Sequence, residues 1–417
     1  MRNCIIAQSG GPTVAINASL AGLLDANAKE AYFDRCYGAL NGITGILEDR
    51  LLDLSERMSA HSDFTDRLIH TPAMYLGSCR YKLPDPAGEE ERRTYRQIFS
   101  FFEDHQIDSF FYIGGNDSMD TVLKLSRFAQ ETGSSVKILG IPKTIDNDLM
   151  HTDHTPGFGS AAKYIATSLR EIAYDAYIYA IQSVTIVEIM GRDAGWLTAA
   201  SALARTDWSP APQLIYLPEV AFDLDTCIED TRRLLDRENN IIIAVSEGIH
   251  DAGGNYLSSD RAVADKFGHA QLSGTGKALE LAMKDRLSVK VRSVEINVLQ
   301  RAAAHCASET DLTESHDQGV YALDSAMRGE SGRMMTISRK SGEGYQTVIS
   351  SFPIAQIANE VKAVPRSWIN AAGNDVSQEM IDYLSPLIEG QPSLSFQKGL
   401  PDYLDLSHLR VPSEGAI

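Results

Sequence analysis

In the stretch "IPKTIDNDL" an apolar segment ends at Pro142, and Lys143, Thr144, Asp146, Asn147 and Asp148 follow within six residues. Asp146 and Asp148 stand two positions apart. Such a pair can share a cation, or divide into a general base and a metal-side carboxylate. Lys143 adds a positive charge suited to a phosphoryl group in transfer. A solvated polar turn uses the same residue types, but the position directly after an apolar strand favours a site.

Further candidates lie at the ends of other apolar segments. "QSGGPT" places Gly10 and Gly11 between a strand and a helix. Glycines there let the backbone approach a ligand, and free N–H groups at a helix start favour an anion. A tight turn would need them as well, and Pro12 suits a helix start without any ligand. "IGGNDS" repeats the arrangement with Asn116, Asp117 and Ser118. All three are good N-cap residues, yet capping accounts for one of them. Asp117 also puts a negative charge at the helix mouth, where an anion would bind. "EIMGRDAGWL" offers Met190, Gly191 and Arg192, and "VSEGIH" offers Glu247. Arginine suits a phosphate and glutamate a sugar hydroxyl, although each alone could be a surface ion pair. Arg292 and Arg301 in "VKVRSVEINVLQRAA" could equally be helix-surface charges, and Arg80 follows a glycine turn in "YLGSCRY". His151 and His154 have the look of a metal pair, but nothing supplies the remaining ligands and they read as loop residues.

These residues need elements that bring them together. The chain alternates apolar strand-like runs with helical periods, the pattern of a parallel sheet covered by helices. The runs are "NCIIAQ", "SFFYIGG", "VKILGIPK", "SVTIVEIMGR" and "NIIIAVSEG", each with its polar or glycine residues at the C-terminal end. Ligands bind at that end in open α/β sheets. With 417 residues, more than one domain is expected. Loop residues interrupt the pattern after Asp148, a second set of strands runs to about Gln300, and the tail after Ile354 is rich in loops and Pro. The net charge of −18 argues against a nucleic-acid surface but not against a phosphorylated substrate held in a local pocket of cations. No apolar run is long enough for a membrane span, and that in "MRNCIIAQSGG" is too short for a signal peptide. Five cysteines without paired spacing suggest neither disulfides nor zinc, and point to a reducing cytoplasm.

In this order, "SGGPTVAINA", "LGSCRY", "IGGNDS", "PKTIDND", "EIMGR" and "SEG" resemble the phosphofructokinase family, from the first strand to about Arg301. The resemblance implies phosphoryl transfer to the 1-hydroxyl of fructose 6-phosphate, with Mg2+. It also implies two Rossmann-like three-layer α/β domains with the site in the cleft between them. The donor domain would comprise 1–150 and about 301–353, the fructose 6-phosphate domain 151–300, and a C-terminal extension 354–417. Asp146 would be the base. Thr144, Ile145 and Asp146 would touch the sugar, and Met190, Gly191, Arg192 and Glu247 would hold it together with Arg292 and Arg301. Gly11 and Arg80 would meet the donor, and Asn116 and Asp148 would lie near the metal. ATP-dependent members have glycine in place of Asp117 and usually in place of Lys143. The pair found here resembles the pyrophosphate-dependent members. A carboxylate where the ATP α-phosphate would lie fills and repels it, while Lys143 offsets the charge of pyrophosphate. Three departures stand out. Asn116 replaces the usual metal-linked aspartate, Ser183 a cross-subunit arginine of tetrameric ATP enzymes, and Val298 a histidine or tyrosine at the sugar phosphate. A homodimer is expected. The alternatives are an ATP-dependent enzyme, a non-catalytic phosphosugar-binding subunit, or another acceptor such as sedoheptulose 7-phosphate.

Overall fold

Strands that are apolar on both faces can only be stable inside a sheet covered on both sides, and that is how they are used. The computed structural model describes residues 2–79, 81–257, 272 and 274–410. The chain first lays down β1 (Asn3–Gln8), β2 (Arg35–Ala39), β3 (Leu51–Asp53), β4 (Ile107–Gly114) and β5 (Lys137–Pro142). It then forms β6 (Ser183–Ile189), β7 (Leu214–Tyr216), β8 (Asn240–Ser246) and β9 (Lys290–Glu295), and returns with β10 (Arg333–Arg339) and β11 (Thr347–Pro353). The result is a seven-stranded sheet, β11-β10-β5-β4-β1-β2-β3, and a four-stranded sheet, β7-β8-β6-β9. The second sheet is parallel throughout, whereas β3 and β11 run antiparallel at the edges of the first. The register sets Gln8 beside Ile113, Gly114 beside Pro142, and Ile189 beside Ser246, so the loops that follow these strands emerge side by side.

Helices cover the sheets for local reasons. Glu89–Asp104 begins with three glutamates where the helix dipole favours negative charge. Its Tyr95, Ile98 and Phe102 recur at helical spacing and are fully buried. Asn116–Thr132, which opens directly on the second glycine loop, stops at Gly133 in the left-handed conformation.

The tail packs into both cores. Ile354 and Ile357 join the core under the first sheet, while Val364, Ile369, Met380, Tyr383 and Leu384 join the core of the second. Its loop-rich composition concealed this role, because its apolar residues are spaced by turns rather than by a helical or strand period.

Helices Ile16–Glu30 and Glu309–Met327 pack backbone to backbone. A Cβ on Gly22 would lie 1.9 Å from the His316 carbonyl oxygen, and one on Gly319 would lie 2.1 Å from that of Ser19. Gly22→Ala should therefore force the pair apart and cost about 1–3 kcal/mol, read as a lower denaturant midpoint. An unchanged midpoint would show that this contact is not tight.

Candidate active site

The first glycine loop leaves room for cations. A Cβ on Gly10 would come within 3.3 Å of Lys143 Nζ, and one on Gly11 within 3.1 Å of Arg301 Nη1. Lys143 follows β5 directly, its N–H donates to the Gly114 carbonyl at 2.9 Å, and its Nζ donates to the Gly11 carbonyl at 2.5 Å. Ser9 and Ser118 join the two glycine loops through a 2.5 Å hydroxyl contact. Burial lowers the Lys143 pKa to about 8, opposed by the charge of Asp146. An anion in this loop would favour the protonated ammonium.

The "TIDND" turn is held from both sides. Thr144 Oγ1 accepts from the Asp146 N–H at 3.1 Å, and the Thr144 carbonyl accepts from Thr155 Oγ1 at 2.7 Å. Asn147 is in the left-handed region at φ 56° and donates to the Tyr383 hydroxyl at 2.9 Å. Asp146 is raised by burial and pulled down by Arg192 and Lys143. Asp148 is pushed up to about 7 by burial and by the charge of Asp146. Its Oδ1 is buried without a hydrogen-bond partner among the described residues.

On the opposite wall, Glu247 Oε1 accepts from the N–H groups of Gly191 (3.3 Å) and Arg192 (3.2 Å). Arg192 takes a left-handed φ of 49°, which turns the chain at the end of β6. Burial, followed by the charge of Asp146, raises Glu247 to about 7. Both walls enclose one cleft of about 380 Å³, reached by Gly11, Asn116, Asp117, Lys143, Thr144, Ile145, Asp146, Asp148, Met190, Gly191, Arg192, Glu247 and Arg301. Such a cleft can hold a polyanion against a hydroxyl-bearing ligand, with a carboxylate between them to take a proton.

Two expected site residues are used differently, and a third lies outside the described residues. Asn116 Oδ1 accepts from the Asn359 N–H, and its Nδ2 donates to the Glu360 carbonyl, both at 2.8 Å. The tail thus holds both ends of the amide. Arg292 lies away from the cleft, donating to Thr185 Oγ1 at 3.0 Å and to Asp175 at 2.8 Å, because it sits on β9 well before the strand's C-terminal end. Arg80 is the one outside. Asn359 and Val361 of the tail also line the cleft; no strand-end pattern marks them in the sequence. The two loop histidines separate: His151 stacks on Phe352, and His154 is buried between Asp153 (2.8 Å) and Glu314 (2.6 Å). Burial works against a charge on that ring, but the two carboxylates prevail and raise its pKa.

The phosphofructokinase family model matches residues 3–325. The chain belongs to the phosphofructokinase family. It is 40% identical over 98% of its length, and 97% of the relative's, to the pyrophosphate–fructose 6-phosphate 1-phosphotransferase of Xanthomonas campestris pv. campestris. Against the protein of the same name from Methylococcus capsulatus it is 38% identical over 99% of its length and 98% of the relative's. The crystal structure of the pyrophosphate-dependent phosphofructokinase from Nitrosospira multiformis superposes with a TM-score of 0.87 at 35% identity, covering 99% of this chain and 98% of that one.

Among the described residues, no group of three or more His, Cys, Asp or Glu side chains could hold a metal alone. Mg2+ asks for less, one or two carboxylates completed by phosphate oxygens and water. The unpartnered oxygen of Asp148 fits that requirement. Asp148 titrates near 3.8 when unfolded and near 7 when folded. Its contribution to stability is thus complete below the first value and lost as pH rises through the second. Asp148→Asn should stabilise the metal-free protein at pH 8 by on the order of 1–3 kcal/mol and change little at pH 4. Equal unfolding midpoints at pH 8 would contradict this charge assignment.

Proposed function

We propose that this phosphofructokinase transfers a phosphoryl group reversibly from pyrophosphate to the 1-hydroxyl of fructose 6-phosphate, giving fructose 1,6-bisphosphate and phosphate. The observation that carries the reading is the position of Lys143. Its ammonium lies on the Gly10–Gly11 loop in the same cleft as Asp117, Asp146 and Arg192. The names of the relatives agree with it. Asp146 takes the hydroxyl proton as the sugar oxygen bonds to the near phosphorus. The bridging P–O bond then breaks and the electron pair leaves with phosphate. Lys143 and Arg301, facing the Gly10–Gly11 loop, meet the negative charge of the donor. Arg192 and Glu247 orient the sugar phosphate from the other wall, with Met190 and Gly191 beside them and Thr144 and Ile145 along the Asp146 turn. Mg2+, held by Asp148, would neutralise charge on the phosphate oxygens. The scattered cysteines suit a cytoplasmic location.

We further propose a homodimer. Tyr174, Ile178, Tyr179, Ile181 and Trp208 are each at least half exposed and lie near one another, around the start of β6. Lys290 and Arg292 border the same face beside Ser183. A second copy docked there would cover the apolar side chains and bring Arg292 towards its partner's cleft, the service a cross-subunit arginine gives in tetrameric ATP enzymes. This supplies a place for Arg292 that its own cleft does not.

Initial rates with pyrophosphate or ATP, and with fructose 6-phosphate or sedoheptulose 7-phosphate, decide the substrates. Pyrophosphate and fructose 6-phosphate should dominate, and fructose 1,6-bisphosphate with phosphate should run the reaction backwards. Robust ATP turnover without pyrophosphate activity would overturn the donor. Asp146→Asn should lower kcat about 10²–10⁴-fold while the protein still binds fructose 6-phosphate. Retained kcat would remove Asp146 as base. By sedimentation, Trp208→Glu should shift a dimer to monomer; an unchanged mass would place the interface elsewhere.

A further inference from the structure

Residues 358–364 cross the mouth of the cleft from one core to the other. Ile357 and Ala358 are buried with Met119 and Leu149 under the first sheet, and Val364 is buried with Trp196 and Tyr383 under the second. Between these anchors the segment is held at both walls. At the donor wall, Asn359 adopts a left-handed φ of 68°, and its backbone and that of Glu360 take both ends of the Asn116 amide. Asn359 Nδ2 also donates to Asp120 at 3.1 Å. At the sugar wall, the Lys362 carbonyl accepts from Trp196 Nε1 at 2.8 Å, and the Val364 N–H donates to Glu219 at 2.9 Å. Lys362 reaches the catalytic turn as well. Its N–H donates to the Asp148 carbonyl (2.8 Å), and its Nζ to Asn147 Oδ1 (3.1 Å) and the Asp153 carbonyl (2.8 Å).

We propose that this strap limits the length of the phosphoryl donor, and that Asn116 is the positioning residue that holds it in place. The inference rests on the pyrophosphate reading above. At the mouth of helix Asn116–Thr132 the cleft wall consists of Asn116, Asp117, Asn359 and Val361. That wall carries a carboxylate and an apolar side chain and no cation of its own. A two-phosphate donor lying on the glycine loops ends before it. A nucleotide leaving on this side would have to displace a segment pinned in two cores, besides meeting Asp117. The departure at Asn116 then has a cause. An amide accepts from the Asn359 N–H and donates to the Glu360 carbonyl. An aspartate would accept from the first and turn its second oxygen against the other.

The test uses the full-length protein. Wild-type turnover with pyrophosphate is established first, so failure there strikes the donor reading and not the strap. Two single variants, Asn116→Ala and Asn116→Asp, remove the paired contacts to Asn359 and Glu360. Hydrogen exchange in peptide 357–364 should accelerate in both. The decisive comparison is MgADP affinity by calorimetry. Asp117→Gly/Lys143→Gly with Asn116→Ala should bind at least about tenfold more tightly than the double variant alone. Should Asn116→Ala fail to fold, Val361→Gly in the same double background probes the wall with the amide intact, and the same gain is expected. Equal MgADP affinity with and without the added substitution, or unchanged exchange in 357–364, overturns the proposal.

Discussion

A lysine ammonium and several carboxylates buried in one cleft are tolerable only if each finds a counter-charge, a hydrogen bond or a ligand. That constraint organises the site. Lys143, 2% exposed, rests on the Gly11 carbonyl and faces Asp146, which in turn feels Arg192. Asp148 and Glu247 lie close enough to Asp146 that burial and mutual repulsion hold both near pH 7. Such a cluster is poised for an incoming polyanion with its cation, because each can relieve charges that the protein alone leaves incompletely paired. The glycines of the first loop serve the same end. A Cβ on Gly10 or Gly11 would crowd Lys143 Nζ or Arg301 Nη1.

The two sheets supply opposite halves of this cluster, so their relative placement matters as much as either sheet. The turn with Asp146 grows from β5, and Arg192 and Glu247 grow from β6 and β8. Chain connectivity fixes this only loosely, and the tail tightens it. With Ile357 in one core and Val364 in the other, residues 358–364 tie the walls together, and Lys362 adds a cation on the turn between the two aspartates. Burial holds Lys362 near a pKa of 8 against the pull of Asp153 and Asp148. The ammonium is therefore a structural clamp rather than a solvated charge.

Much of the site was legible because its residues follow strands. An apolar run buried on both faces must end in a loop at the sheet's C-terminal edge, and "GGNDS", "PKTIDND", "MGR" and "SEG" each stand at such an end. Local pattern, with the family resemblance, was enough to bring Lys143, Asp146, Asp148, Arg192, Glu247 and Arg301 to one cleft. Arg292 carries no such mark, since it lies inside β9 rather than after it and donates to Thr185 and Asp175. His154 was passed over as a loop residue. Its partner Glu314 is 160 positions away, a distance that no local pattern can bridge.

The sequence by itself determined the alternation of elements, the residues at the strand ends and the chemistry those residues can perform. These depend on side-chain period and on the fixed geometry of a strand running into a helix. The tertiary structure alone decided what Asn116 does, what the loop-rich segment after Ile354 packs against, and which cations face which carboxylates. Those outcomes depend on contacts such as Asn116 with Asn359 and Glu360, more than 240 positions apart, that form only when both cores have closed. Hydrogen bonds and buried charges act over a few ångströms in space and leave no spacing in the chain to read.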